Sequence, residues 1–374
     1  MYIVLAILAF GILIFVHELG HFLVAQACGV KVTEFSMGMG PQLLHKQKGE
    51  TVYSLRAFPI GGFCAMEGEE EASDDPRAFN NQSVWHRLLI LVAGAGMNFL
   101  LGLVLVIILY AGAGGFNSPV IAGFADGCPY EGTLQAGDEI RRVNGERIFF
   151  TGNFIQYASA DEDGNLDLVI IRDGKRIELD NYHMVPVEYA VNGQTVKKYG
   201  VNFTIAPPTV GNVLKYSFYN CLDFVRMVRA GLVQLFTGQA SMSDMTGVVG
   251  MVDIINETGQ SAQSTSEGIA NVVFLVAFIA VNLAVMNLLP LPALDGGHIL
   301  TLLLSALSQR DLAQRPYFSS SPFSTEPEFT PTRIGTPRSR QASATMRTRS
   351  GEPMLPGLMR ILSKPASTAA RASR

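Results

Sequence analysis

Residues His17-Glu18-Leu19-Gly20-His21 spell H-E-x-x-H. Four residues apart on a helix, His17 and His21 lie one turn apart on one face, so both imidazoles can hold one Zn²⁺. Glu18 then stands beside the ion as a candidate general base. The setting sharpens the signal: from Met1 to Val30, Glu18 is the only carboxylate and there is no Lys or Arg. A carboxylate inside an apolar span costs on the order of 2.5–3.5 kcal/mol, so a functional role is its default reading. Chance occurrence is the bland alternative, and it weakens inside such a span.

The element that carries the motif has to be a membrane helix. About 20 apolar residues cross a bilayer, and residues 1–30 suffice. They lack a basic leader and a small-residue cleavage site, which predicts a retained first span rather than a removed signal peptide. Charged residues make up 16% of the chain and mean hydropathy is +0.25, values that fit a membrane protein with a soluble insert. A formal net charge of −4, without a basic patch interleaved with aromatics in the first 300 residues, argues against nucleic acid as a partner. Cys28, Cys64, Cys128 and Cys221 are widely spaced, which indicates neither a thiolate metal site nor a disulfide framework.

The remaining elements follow from composition. Residues 31–87 predict a loop with a β-hairpin: Glu50–Arg56 as a strand, Gly61-Gly62 as a turn and Phe63–Met66 as the returning strand. Its acidic stretch, Glu67 to Asp75, reads as solvated surface. Leu88 to Phe124 holds no charge, so 88–115 is a second span. Residues 116–207 read as a β-rich module, with Val143-Asn144-Gly145 and Asp173-Gly174 as tight turns. Residues 208–238 carry Lys215, Asp223, Arg226 and Arg229 in an otherwise apolar stretch, which predicts an amphipathic helix at the membrane interface. Residues 239–267 read as a connecting loop. Residues 268–308 form a third transmembrane segment broken by Pro290 and Pro292. Residues 309–374 hold eleven basic against four acidic residues without periodicity and read as a disordered basic tail.

Two histidines leave a catalytic zinc site incomplete, because such sites have three protein ligands and an open position. Asp295 is the best third ligand, as the only carboxylate between Glu267 and Asp311. It can also cap a helix starting at Gly296, and the two roles are compatible. Depth tests the pairing. His17 lies late in the first span and Asp295 late in the third segment. With three crossings those two run the same way and the groups meet near one face; a crossing by 208–238 would separate them. Lys31, Lys46, Lys48, Arg56, Arg77 and Arg87 put the first loop in the cytoplasm and the β-rich module outside.

The pair His17-Glu-Leu-Gly-His21 and Asn287-Leu-Leu-Pro290-Leu-Pro292-Ala-Leu-Asp295-Gly296 resembles the site-2 protease family of intramembrane zinc metalloproteases. Leu134-Gln-Ala-Gly-Asp-Glu-Ile140 followed by Val143-Asn-Gly145 is similar to a PDZ domain, an arrangement found in the bacterial branch that cleaves anti-sigma factors and remnant signal peptides. The resemblance spans residues 1–308. It implies an α-helical polytopic membrane protein of the inner (plasma) membrane, with an inserted PDZ-like domain and a membrane-associated β-hairpin. It also implies Zn²⁺ held by His17, His21 and Asp295, Glu18 as catalytic base, and Asn287, Pro290 and Pro292 beside the substrate. The hairpin near Tyr53 to Cys64 resembles the β-loop that pairs with an extended substrate. Gly94-Ala95-Gly96-Met97-Asn98 matches the second-span motif, with Ala95 where the family often has Pro; Asn98 could equally serve helix packing. Relatives usually carry a fourth span after the Asp-Gly segment, where this sequence has its polar tail, and some carry two PDZ modules.

The implied partners are single-span membrane-protein substrates, membrane lipid and a C-terminal peptide ligand of the module, bound by strand addition. Two other readings use the same residues. A PDZ-bearing membrane scaffold with a non-catalytic metal site would tolerate loss of Glu18. A metal transporter would carry polar residues along every span, whereas here they cluster at one depth.

Overall fold

The structure, a computed structural model, describes residues 2–69, 71–191, 194–238 and 248–308. The expected tail at 309–374 and the first part of the expected 239–267 loop lie outside the described residues. Among the described residues, three helices are long and apolar enough to cross a membrane: α1 (Tyr2–Ala27), α2 (Val84–Ala111) and α6 (Thr265–Asn287). At 1.5 Å per residue the 26 residues of α1 extend roughly 39 Å, enough for a hydrocarbon core of about 30 Å.

Between α1 and α2 lie β1 (Val32–Lys48) and β2 (Thr51–Met66), joined at Gly49-Glu50. This corrects the sequence reading of the hairpin. The segments near 52–55 and 62–66 of β2 do not pair with each other; residues 34–37 of β1 lie between them and pair with both. Residues 44–48 add to the other side of 51–55. Gly61-Gly62 therefore marks a bend within β2, not a hairpin turn. The pattern misleads because Gly61 is needed for its φ of +104° and for the approach of Met39, where a Cβ would lie 2.3 Å from Cγ. One end of the folded-over sheet is the segment 62–66.

The β-rich module holds β3 (Phe116–Phe124), β4 (Glu139–Val143), β5 (Glu146–Arg147), α3 (Thr151–Ser159), β6 (Asn165–Arg172), β7 (Lys175–His183), β8 (Val187–Val191), β9 (Gln194–Lys198) and β10 (Val201–Ala206). Its main sheet runs β10-β3-β4-β6-β7 with β5 beside β4, and β8 pairs with β9. Both expected tight turns are present: Asn144 and Gly145 at φ 49° and 79°, Asp173 and Gly174 at 50° and 76°. Ile121, Leu134, Ile140, Phe154, Leu168 and Ile170 are buried in its core. Asp138 is fully buried there. Burial pushes its carboxyl up, but the Arg172 guanidinium at 2.7 Å and the Gln135 amide outweigh this and hold it below the usual carboxylate range.

After the module comes α4 (Val210–Phe236), which is not among the helices apolar enough to cross. Its charges are turned to the module. Asp223 accepts from Asn153 at 3.0 Å and pairs with Arg226, Arg226 donates to the Arg147 carbonyl, and Arg229 pairs with Glu146. Phe224 on the same helix contacts Phe274 and Phe278 of α6, so α4 ties the module to the bundle.

The 239–267 region contains α5 (Val248–Gln260), a correction to its reading as a loop. The sequence carries the helical signal, since Val248, Met251, Val252 and Ile255 follow the i, i+3, i+4, i+7 spacing; Met251, Val252 and Ile255 pack with Ala6, Phe10, Leu13, Val272 and Ile279. The third transmembrane segment is two helices, α6 and α7 (Asp295–Ser308), broken at the two prolines as the sequence predicts. The helices approach closely through small residues. A Cβ at Gly20 would lie 2.4 Å from the Ala93 carbonyl of α2, and one at Gly102 2.7 Å from Val281 of α6. Leu302 of α7 belongs to one buried cluster with Phe22, Ile90, Leu91 and Cys64, which sets α7 beside the late turns of α1.

Candidate metal centre

His17 and His21 lie on the buried side of α1, their rings 87° apart and their Nε2 atoms 3.2 Å apart. Asp295, the first residue of α7, places Oδ2 at 3.3 Å from His17 Nε2 and 3.6 Å from His21 Nε2. Ligands bound tetrahedrally at 2.0–2.1 Å are separated by roughly 3.3–3.4 Å. The triangle therefore has the dimensions that one zinc ion would impose. Asp295 Oδ2 is also buried without a hydrogen-bond partner, an atom whose geometry asks for a cation. Among the described residues, these three side chains form the one cluster of His, Cys, Asp or Glu that can converge on a metal.

Each candidate ligand is held by its surroundings. His21 Nδ1 lies 2.8 Å from the Ile90 carbonyl of α2, so the N–H donates there and Nε2 keeps its lone pair for the ion. Gly94, one turn further along α2, lets that helix press against both imidazoles: a Cβ there would lie 2.4 Å from His21 Nε2 and 2.6 Å from His17 Cε1. Asp295 is set by the two glycines that follow it. A Cβ at Gly296 would lie 2.1 Å from the Leu289 carbonyl, and one at Gly297 2.2 Å from that of Leu291. Only glycines allow α7 to start so tightly beneath the 288–294 turn.

Two amides meet His17. Asn98 Nδ2 of α2 is 3.5 Å from its Nδ1, and Asn287 Nδ2, at the end of α6, is 3.4 Å from both ring nitrogens. Asn98 Oδ1 is buried without a partner. A half-turn of that amide, which exchanges atoms of nearly equal size, lets Oδ1 accept from His17 Nδ1–H and leaves both Nε2 atoms facing the metal position.

Glu18 sits between the ligands in sequence and faces β2. A Cβ at Gly62 would lie 3.6 Å from Glu18 Cγ, and the Cys64 amide is a hydrogen-bond partner of the carboxylate. The sheet segment 62–66 thus runs over the position next to the metal centre. Of the residues expected at the substrate, the structure brings Asn287 to the centre, while Pro290 and Pro292 are exposed in the turn. Sequence reasoning missed the Ile90 carbonyl and Gly62, and gave Gly94 no role of its own. The run Gly94-Ala95-Gly96 was the available signal for a close helix approach.

Residues 5–318 match the sequence profile of "Peptidase family M50". The chain is similar to a candidate zinc metalloprotease of Clostridium acetobutylicum, 37% identical over 82% of this chain and 87% of the relative. A second of the same designation, from Clostridium perfringens, is 36% identical over 83% and 90%. The regulator of sigma-W protease RasP of Bacillus subtilis is 27% identical over 80% and 89%.

Proposed function

The chain belongs to peptidase family M50, the site-2 type of zinc metalloprotease, and we propose that it cuts peptide bonds within transmembrane segments of other membrane proteins. In this reading His17, His21 and Asp295 hold the zinc and Glu18 is the catalytic base. The bound ion supplies Lewis acidity, which brings the pKa of a ligated water to roughly 7 and polarises a carbonyl. Glu18 accepts a proton from the attacking water and delivers it to the departing amine. Asn287 offers an amide beside His17, and the turn with Pro290 and Pro292 keeps helix from filling the space where substrate enters.

The observation that carries this reading is the ligand triangle of 3.2, 3.3 and 3.6 Å with one further carboxylate beside it, among helices apolar enough to span a bilayer. Cleavage needs an unwound substrate backbone, and the sheet end at 62–66 is placed to pair with one by main-chain hydrogen bonds. The purified full chain in vesicles should contain about one zinc per molecule and cleave a single-span substrate. Chelation should abolish cleavage and added zinc restore it. Unchanged cleavage by the chelated, zinc-free protein would refute the assignment.

We further read the β-rich module as PDZ-like, outside the plasma membrane, with substrates of the anti-sigma-factor or remnant-signal-peptide class. What supports it is β10, which ends the main sheet with one side unpaired among the described strands, and α3 beside it through Phe154 and Phe203. A peptide bearing a free C-terminus should add to that strand. Amide exchange of the full chain should then slow at residues 201–206, and equal rates with and without saturating peptide would remove the ligand role.

A further inference from the structure

The outer face of the module's sheet collects positive charge that the protease reading leaves unused. Arg141, Arg142, Arg147 and Arg176 line one concavity of about 220 Å³ with Val169 and Ile171, and among the described residues no carboxylate lines it. A second hollow shares Arg141 and Arg147 and continues to Lys215, Tyr216 and Tyr219 of α4; Glu139 is its one acidic residue and pairs with Arg141 at 3.3 Å. Clustered cations repel, so this arrangement costs energy unless an anion sits among them. Several are also held in place. Arg142 donates to the Gly145 carbonyl at 3.1 Å, Arg147 lies over the Phe149 and Tyr219 rings, and Lys215 lies over Tyr216 and Tyr219.

The place of this cleft says which anion. Tyr110, in the last turn of α2, contacts Phe116, and Phe116 stacks on Tyr216 at 4.8 Å. Ser118 to Val120, which line the second hollow, follow within a few residues. The hollow therefore opens where a spanning helix ends. On α4, Val210, Leu214 and Phe218 form an exposed apolar row at a spacing of four, next to Lys215. An apolar row beside aromatic rings and a basic cleft is the arrangement that meets acyl chains below and phosphate headgroups above.

We propose that this cleft is a headgroup site for anionic phospholipid, which anchors the module's sheet and α4 against the membrane surface. The site depends on the protein being in a membrane and not on its peptidase chemistry.

The test uses the full chain in nanodiscs that mix phosphatidylcholine with phosphatidylglycerol, reading by native mass spectrometry which lipid stays bound. Wild type should retain phosphatidylglycerol over its share of the mixture. Each surface cation contributes roughly fivefold, so the double variant Arg141→Gln, Arg176→Gln should lose about tenfold of that enrichment after allowance for their ion pairs. The same charge change on β9, Lys197→Gln with Lys198→Gln, should leave it intact. If the double variant fails to fold in pure phosphatidylcholine, Arg176→Gln alone serves, because Arg176 and its partner Glu178 are more than half exposed; it should lose about threefold. Unchanged enrichment in the cleft variants, or equal loss in the β9 control, would overturn the proposal. Displacement of phosphatidylglycerol by millimolar inorganic phosphate would overturn the lipid assignment in favour of a soluble anion.

Discussion

Replacing Glu18 with Gln should leave zinc content unchanged and lower cleavage of a single-span substrate by about 10²- to 10⁴-fold, the usual loss when a general base is removed. The two side chains have the same shape, so contact with Gly62 and the surrounding helix is retained. An amide still meets the Cys64 region but cannot take a proton from water. Glu18 is absent from the ligand triangle, so the ion should remain. That separation is the point of the experiment: zinc by elemental analysis stays near the wild-type value while turnover falls. A variant that keeps more than about a tenth of wild-type turnover would remove Glu18 from the base role.

Gly94→Ala should lower zinc affinity by about 10- to 100-fold without unfolding the helices, comparable to losing a group that orients a ligand. The new methyl would lie 2.4 Å from His21 Nε2 and 2.6 Å from His17 Cε1, more than an ångström inside ordinary contact. His21 cannot simply retreat, because its Nδ1–H is tied to the Ile90 carbonyl one turn away on the same helix. Either that bond breaks or α2 moves away from α1, and metal–ligand distances tolerate only about 0.2 Å. Gly96→Ala is the matched control. It adds the same methyl two residues on, where nothing lies within 4 Å, and alanine favours helix by about 1 kcal/mol over glycine. Equal zinc affinity in the two variants would show that close packing at Gly94 does not set the ligands.

Much of this architecture was legible because charge is so scarce in the apolar runs. His17, Glu18, His21 and Asp295 stood out as groups that lipid should exclude, and the structure brings the two histidines and Asp295 within 3.6 Å of one another. The tight turns at Asn144-Gly145 and Asp173-Gly174 were legible for a local reason, since both positions require positive φ. What escaped was set by tertiary contact. Gly61-Gly62 carries a turn's composition, but partner strand 34–37 decides that it is a bend. The helix at 248–260 escaped for another reason: Met251, Val252 and Ile255 stand at helical spacing and meet α1 and α6, a pattern the loop reading passed over. The Ile90 carbonyl belongs to the backbone and leaves no trace in residue type. The charges of α4 marked it as a helix of the membrane interface; what residue type does not show is that Asp223, Arg226 and Arg229 are met by the module.

The proposed ligand set joins two distant stretches of the chain, for His17 and His21 lie in α1 and Asp295 begins α7. At 5–20 residues per second, the ribosome needs on the order of 15–60 s to travel from His17 to Asp295. During that interval the nascent protein carries the two imidazoles without Asp295. On the proposed ligand set, a product that stops short of α7 lacks Asp295, and its zinc content should fall below that of the longer chain.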